Sequence, residues 1–322
     1  MKTAFLLLAA ALSPCTAWAQ ADDPATSATP SVEAPDTAFT PKRTRQILTA
    51  QILLDRARFS PGVIDGLGGA NVSHAVREFR QAHGLPAGDQ IDELLLTKLR
   101  EVVPGPVFVR HSVSEADLGR PYVSSVPKDF AEQAKLEHVG YTGAAEALAE
   151  RFHVTEELLL ALNPSAELDK VGAEILVPAS RAGKIEAEVA RIEVDKNASA
   201  VRVFGPDKKL IAVYPATIGS ADMPSPEGSM QVKAVATEAA YYFDPEKLQF
   251  GPDKKLEIAA GPNNPVGGVW IDLSKDGYGI HGAPEPRLIR KTSSHGCVRL
   301  TNWDAHELAR AVKPGVEVEF TS

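Results

Sequence analysis

The spacing of apolar residues changes along this chain, and that change constrains the fold more than any other feature. As far as about residue 162 the apolar side chains recur at three- and four-residue intervals; beyond Ser180 they alternate. A helical stripe and an alternating face bury in different ways, so the two stretches belong to separate layers or separate domains. Alternation over residues 190–194, 200–204 and 210–214, punctuated by Asp195-Lys196-Asn197 and Gly205-Pro206-Asp207, predicts antiparallel strands joined by hairpins. Further strands are expected over 230–236, 268–273 and 316–320, with one helix capped by Thr301 or Asn302 and stopped at Pro314-Gly315. Residues 186–322 therefore read as a mostly β domain with a single helix.

Two small modules precede it. In residues 44–100, Ile47, Leu48, Ile52 and Leu53 form one apolar face, and Val72, Ala75, Val76 and Phe79 a second. Leu95 and Leu99 supply a third short helix, and the turn Ile64-Asp65-Gly66 lies between the first two. In residues 138–180, one helix carries Ala145, Leu148 and Phe152, a second is capped by Thr155, and a short strand ends at Pro178, an α+β pattern. The connector 101–137 shows little periodicity, and no function is placed on it. Residues 20–43 are rich in Ala, Asp, Pro, Ser and Thr, a composition expected of a flexible tether.

The first 19 residues run from Lys2 through an apolar stretch to Ala17-Trp18-Ala19, the order of a cleavable secretory signal. That stretch is too short to span a bilayer, and no second apolar run follows it. Acylation of Cys15 is disfavoured by Pro14, which stands where a small residue is wanted. Cleavage removes Cys15 and leaves Cys297 as the mature chain's single cysteine, with no partner for an internal disulfide. The net charge of -8 argues against nucleic acid as a partner.

The chemistry concentrates in residues 279–300, GIHGAPEPRLIRKTSSHGCVRL. A thiolate is a strong nucleophile, and a histidine can take its proton, lower its pKa and later protonate a leaving amine. His281 is the candidate partner of Cys297, and Gly296 permits a tight turn in which the amides of Gly296 and Cys297 converge on an oxyanion. His295 either lines the site or holds the loop by a structural hydrogen bond.

Three resemblances rest on these residues. Ile280-His281-Gly282 with Ser294-His295-Gly296-Cys297-Val298-Arg299-Leu300 resembles the signature of the YkuD-type L,D-transpeptidases, and the likeness extends to Pro226-Glu227-Gly228 and the loop Gly261-Pro262-Asn263-Asn264-Pro265. The first module, through Ile64-Asp65-Gly66 and the helix of Val76 and Phe79, resembles a peptidoglycan-binding domain. The second resembles a LysM module, a family that binds N-acetylglucosamine-containing glycan, although its opening strand is poorly matched.

The first resemblance implies a YkuD-like β-sandwich in which Cys297 is the nucleophile, His281 the acid/base and the Gly282 carbonyl the group that orients the imidazole. Ser294 and Tyr278 are expected at the substrate. Arg299 faces either a substrate carboxylate or a structural ion-pair partner. Ala283 departs from the small hydroxyl residue that often follows the His-Gly pair. The implied reaction cuts a peptidoglycan tetrapeptide stem after its third residue, releases D-alanine, and passes the acyl group to a stem, an anchored envelope protein or a free D-amino acid. Carbapenems are the implied inhibitors, no cofactor or metal is implied, and the expected location is the periplasm or cell envelope. A cysteine hydrolase on the same domain and a non-catalytic wall-binding protein are the alternatives.

Overall fold

The computed structural model describes residues 32–181, 183–219, 224–246, 251–294 and 296–322. The signal, Cys15 and His295 lie outside the described residues.

Helices α1 (Arg45–Arg56), α2 (Ala70–Ala82) and α3 (Glu93–Val102) form the first module. Thr44 and Asp92 cap α1 and α3 by accepting from Ile47 N and Leu95 N. Leu53, Leu54, Phe79, Leu95 and Leu99 close its core, to which Val213 of the β domain also belongs.

Strand β1 (Phe108–Ser112) follows, then short helices α4 (Glu115–Leu118) and α5 (Phe130–Gln133), helices α6 (Ala144–Arg151) and α7 (Glu156–Leu162), and β2 (Glu174–Pro178). β1 pairs antiparallel with β2, from Phe108 opposite Pro178 to Ser112 opposite Glu174. The connector read as featureless thus contributes a strand to the middle module. Residues 32–43 also depart from the tether expectation. Ala34 and Ala38 are buried, Val32 and Phe39 pack beside them, and Arg43 Nε donates to Asp65 O at 2.9 Å. Small side chains let this segment lie flat on the apolar faces of α1 and α7 and keep them from water.

The β domain contributes β3 (Arg191–Asp195), β4 (Ala200–Phe204), β5 (Leu210–Pro215), β6 (Thr217–Ile218), β7 (Gly228–Ala236), β8 (Tyr241–Phe243), β9 (Leu256–Ile258), β10 (Trp270–Leu273), β11 (Gly279–His281), β12 (Val298–Arg299) and β13 (Glu317–Thr321). Helix α8 (Asn302–Ala311) precedes β13, and its cap is Thr301, whose hydroxyl accepts from Asp304 N. Nine strands run in the order β5-β4-β3-β13-β7-β10-β11-β12-β6, while β8 and β9 form a separate hairpin. Pairing is antiparallel except for β3 with β13 and β11 with β12. The two ends of the sheet share β7 and enclose one core containing Ile192, Val203, Tyr214, Ile271, Ile280, Leu300 and Leu308. No helix among the described residues is long and apolar enough to cross a membrane.

The three modules meet around α8. The turn carrying Ile64 docks on the middle module, with Ile64 N donating to His153 O at 2.8 Å and Thr155 N to Ile64 O at 3.1 Å. Ser60 N and Arg58 O pair with Val213 of β5, each at 2.8 Å.

Candidate active site

Strand β11 sits between β10 and β12, so its side chains are framed from both edges. His281 stands opposite Trp270 on one side and opposite Arg299 on the other. Cys297 lies two residues before Arg299, so continued alternation puts His281, Cys297 and Arg299 on one face. The imidazole is buried and stacks on the Trp270 ring, centroids 5.5 Å apart and 20° from parallel. Its Nδ1 donates to Gly282 O at 2.6 Å, which leaves the lone pair on Nε2.

Burial pushes the His281 pKa down to about 4, with the Arg299 charge adding to the shift and the Gly282 hydrogen bond opposing it. The imidazole is therefore neutral at neutral pH and able to accept a proton. Burial also pushes the Cys297 thiol up, against opposing contributions from the Gly279 main chain and Arg299. The thiol donates to Gly277 O at 3.6 Å. This corrects the expectation of a thiol whose pKa an imidazole has lowered: desolvation outweighs the nearby positive charge, and the resting pair is neutral. Alkylation by iodoacetamide follows the thiolate, so its half-maximal rate is expected above about pH 8.5, the value for an ordinary cysteine. A midpoint below that value would contradict the neutral pair.

The loop before Cys297 is tightly specified. Gly296 has φ +105°, and a Cβ there would stand 2.8 Å from Tyr278 Cε1, so no other residue fits without displacement. Ser225 Oγ donates to Gly296 O at 2.7 Å. Ser294, expected at the substrate, is instead buried and held within the loop. Its hydroxyl donates to Cys297 O at 2.5 Å and its N to Gly219 O at 3.1 Å. With its hydroxyl engaged in that way, it shapes the turn rather than facing a ligand. Tyr278 is half-buried against Gly296, under the Lys275 ammonium at 4.8 Å.

Arg299 is half-buried, and Nη1 lies 3.5 Å from Ser293 O. Among the described residues it forms no salt bridge, and its charge acts on Cys297 and Tyr241. Burial pushes the Tyr241 phenol up to about 12, with the Cys297 side adding to the shift. The expected residues Cys297, His281, Gly282, Gly296, Tyr278 and Arg299 are thus gathered at one end of β11 and β12.

Trp270 and Asn302 complete this arrangement, and sequence reasoning assigned neither to the site. Trp270 was read only as part of a strand, although a large aromatic on the strand flanking His281 was an available signal. Asn302 was read as a helix cap. It is buried, and its Oδ1 accepts from Ala283 N at 2.9 Å. Glycines make that approach possible, since a Cβ at Gly282 or Gly267 would lie 2.4 or 1.9 Å from Asn302 Oδ1.

Comparison with known proteins agrees with this geometry. A family model for the L,D-transpeptidase catalytic domain matches residues 189–319, and one for a peptidoglycan-binding domain matches residues 43–99. The relative named L,D-transpeptidase YkuD in Bacillus licheniformis is 30% identical over 178 residues, covering 55% of this chain and 92% of that protein. A YkuD from Bacillus subtilis is 47% identical over 57 residues, covering 18% of this chain and 35% of that protein. The L,D-transpeptidase ErfK/SrfK of Escherichia coli is 28% identical over 171 residues, covering 50% of this chain and 54% of that protein. The chain thus spans nearly all of the first relative but only about a third to a half of the other two.

Proposed function

The chain belongs to the YkuD L,D-transpeptidase family of cysteine acyltransferases, and from that premise we propose that Cys297 takes the acyl group of a peptidoglycan tetrapeptide stem and passes it to an amine. The observation that carries this reading is the Gly282 carbonyl holding His281 Nδ1, which leaves Nε2 as a base on the face shared with Cys297 and Arg299. The sulfur attacks the carbonyl of the third stem residue as its proton passes to His281 Nε2, and the amides of Gly296 and Cys297 receive the developing oxyanion. The C–N bond then breaks, and His281 returns the proton to the departing D-alanine amine. An acceptor amine attacks the thioester, gives its proton to His281 and restores the thiol. Outside the cytoplasmic membrane no ATP is available, and the thioester conserves the energy of the old peptide bond for the new one.

Arg299, which has no salt-bridge partner among the described residues, offers its guanidinium to the carboxylate of the donor stem. The peptidoglycan-binding module holds the enzyme on its substrate at the cell envelope, which agrees with a periplasmic site of action. In the middle module β1 and β2 pair antiparallel around α6 and α7, with the short α4 and α5 inserted after β1, and this pairing supports a LysM-like reading, with glycan as its partner. Acceptors of the three chemistries remain in play: a second stem, an envelope protein or a free D-amino acid.

Incubation of the purified protein with defined tetrapeptide muropeptides tests the proposal. Cross-linked dimers with release of D-alanine are the expected products. Shortened monomers alone would replace transfer by hydrolysis, and unaltered muropeptides together with sedimentation on sacculi would reduce the protein to a wall binder. Carbapenems are expected to acylate the same sulfur, giving a single adduct in intact-mass spectra that is absent from Cys297→Ala.

A further inference from the structure

The group that orients His281 is itself held from another module. Gly282 C=O and Ala283 N–H belong to one planar peptide unit, so fixing the N–H fixes the carbonyl. That N–H donates to Asn302 Oδ1 at 2.9 Å. Asn302 Nδ2 in turn donates to Pro262 O at 3.0 Å and to the carboxylate of Glu150, Oε2 at 3.0 Å and Oε1 at 3.2 Å. Glu150 lies on α6 of the middle module, 152 residues away in sequence from Asn302. Tyr141 OH donates to the same carboxylate at 2.7 Å. The Asn302 amide has one orientation that satisfies all of these partners, with its oxygen on the Ala283 N–H and its nitrogen on acceptors.

We propose that Glu150 is a positioning residue for the acyl-transfer reaction, contributed by the middle module: it locks the Asn302 amide, which holds the 282–283 peptide and through it the orientation of His281. The inference rests on the assignment of His281 and Cys297 made above. It gives the middle module a part in the chemistry besides any contact with glycan.

The carboxylate must be ionised to accept from both Asn302 and Tyr141 without presenting a proton to either. Burial pushes its pKa up to about 7, with the two hydrogen bonds opposing that shift and the neighbouring Glu146 adding to it. Arg120, His138, His306 and Arg310 line a cavity of about 100 Å³ against Glu150, together with Glu238. Burial pushes His138 down and His306 down to about 4, so both are uncharged through the neutral range. Glu150, unlike these two imidazoles, changes charge near pH 7. Below that pH the protonated acid offers a donor where Asn302 needs an acceptor, and the amide loses its lock. His281, by contrast, titrates near 4, three units away on the acid side.

The test measures D-alanine release and kcat against pH in the full chain, for the wild type, Glu150→Ala and Glu150→Gln. Glu150→Ala is expected to lower kcat by about tenfold or more at pH 8 with KM within about twofold, because binding is untouched while the base loses its orientation. Glu150→Gln, like the protonated acid, sets a donor beside one acceptor oxygen, and it cannot titrate. It is expected to hold kcat at the low-pH level of the wild type at every pH and so to abolish the acid limb near pH 7 expected of the wild type. Wild-type kcat in a folded Glu150→Ala protein, or an acid limb unchanged in Glu150→Gln, would overturn the proposal. Should Glu150→Ala fail to fold, the limb in Glu150→Gln decides alone. Turnover retained by Cys297→Ala would sink the nucleophile assignment instead, whatever the Glu150 variants do.

Discussion

Cys297→Ala is expected to abolish D-alanine release and dimer formation, lowering kcat/KM by at least a thousandfold, which is ~4 kcal/mol of transition-state stabilisation. The size follows from the chemistry: Cys297 is the free cysteine among the described residues, and without the thioester the energy of the old bond is lost to water. Because the resting pair is neutral, no thiolate is lost with the sulfur, and the fold has no charge to rebalance. The substitution should therefore leave thermal stability near wild type. Sedimentation with sacculi should also persist, since Cys297 takes no part in the core of the first module. Dimers formed by this variant would remove Cys297 from the mechanism. Loss of sedimentation would show that the first module does not bind the wall by itself.

A neutral pair also changes how the nucleophile must be thought of. The thiol is not stored as a thiolate awaiting substrate; its proton leaves as the S–C bond forms, toward an imidazole held ready by Gly282. The arrangement depends on orientation more than on a shifted thiol, which is why the peptide unit at 282–283 and its Asn302 clamp carry so much of the argument.

Strands with clear alternation were legible in the sequence: residues 200–204 are β4, and the flanking strands differ from expectation by one position at their ends. So were the helices, because a stripe of Val72, Ala75, Val76 and Phe79 has one way to bury itself. β6 and β12 are two residues each, too short for any period to register, yet β12 is the strand that carries Arg299. β1 was missed because its Arg110 and His111 are polar and its partner β2 lies more than sixty residues on. His281 and Cys297 were legible because a nucleophile, a base and a glycine turn leave a local mark. Asn302 and Glu150 leave none, and Ser294 is marked by the motif but not in its role, since these roles are set by partners that only folding brings near.

The same limit hides the ionic centre of the molecule, and Arg181→Met is expected to destabilise the protein by about 3–5 kcal/mol. Arg181 is 4% exposed and lies between all three modules. Its Nη1 donates to Asp55 Oδ1 at 3.1 Å on α1, its Nε pairs with Glu307 Oε2 at 3.2 Å, and its Nη2 pairs with Asp304. Ser60 Oγ also donates to Asp304, Tyr214 OH to Glu307, and His153 Nδ1 to Asp55 at 3.1 Å. Removing the guanidinium leaves three carboxylates out of water, with Arg58 beside Glu307 and the His153 hydrogen bond on Asp55 as their remaining support among the described residues. Arg181→Lys should recover little, because a single ammonium cannot meet three carboxylates in the plane that a guanidinium spans. At about 2–4 °C per kcal/mol for a chain of this size, scanning calorimetry should show a fall of roughly 6–20 °C for Arg181→Met. The acid side gives a second reading. Asp55 is held well below the usual carboxylate range by His153 and Arg181 despite its burial, so its stabilisation is complete above that range and is lost as pH falls below it. Without Arg181 that contribution shrinks, and the difference in stability between wild type and variant should be smaller at pH 3 than at pH 7. A shift of less than about 2 °C at pH 7 would mean that the carboxylates had taken up protons or water at little cost, and that the junction of the three modules does not depend on this residue.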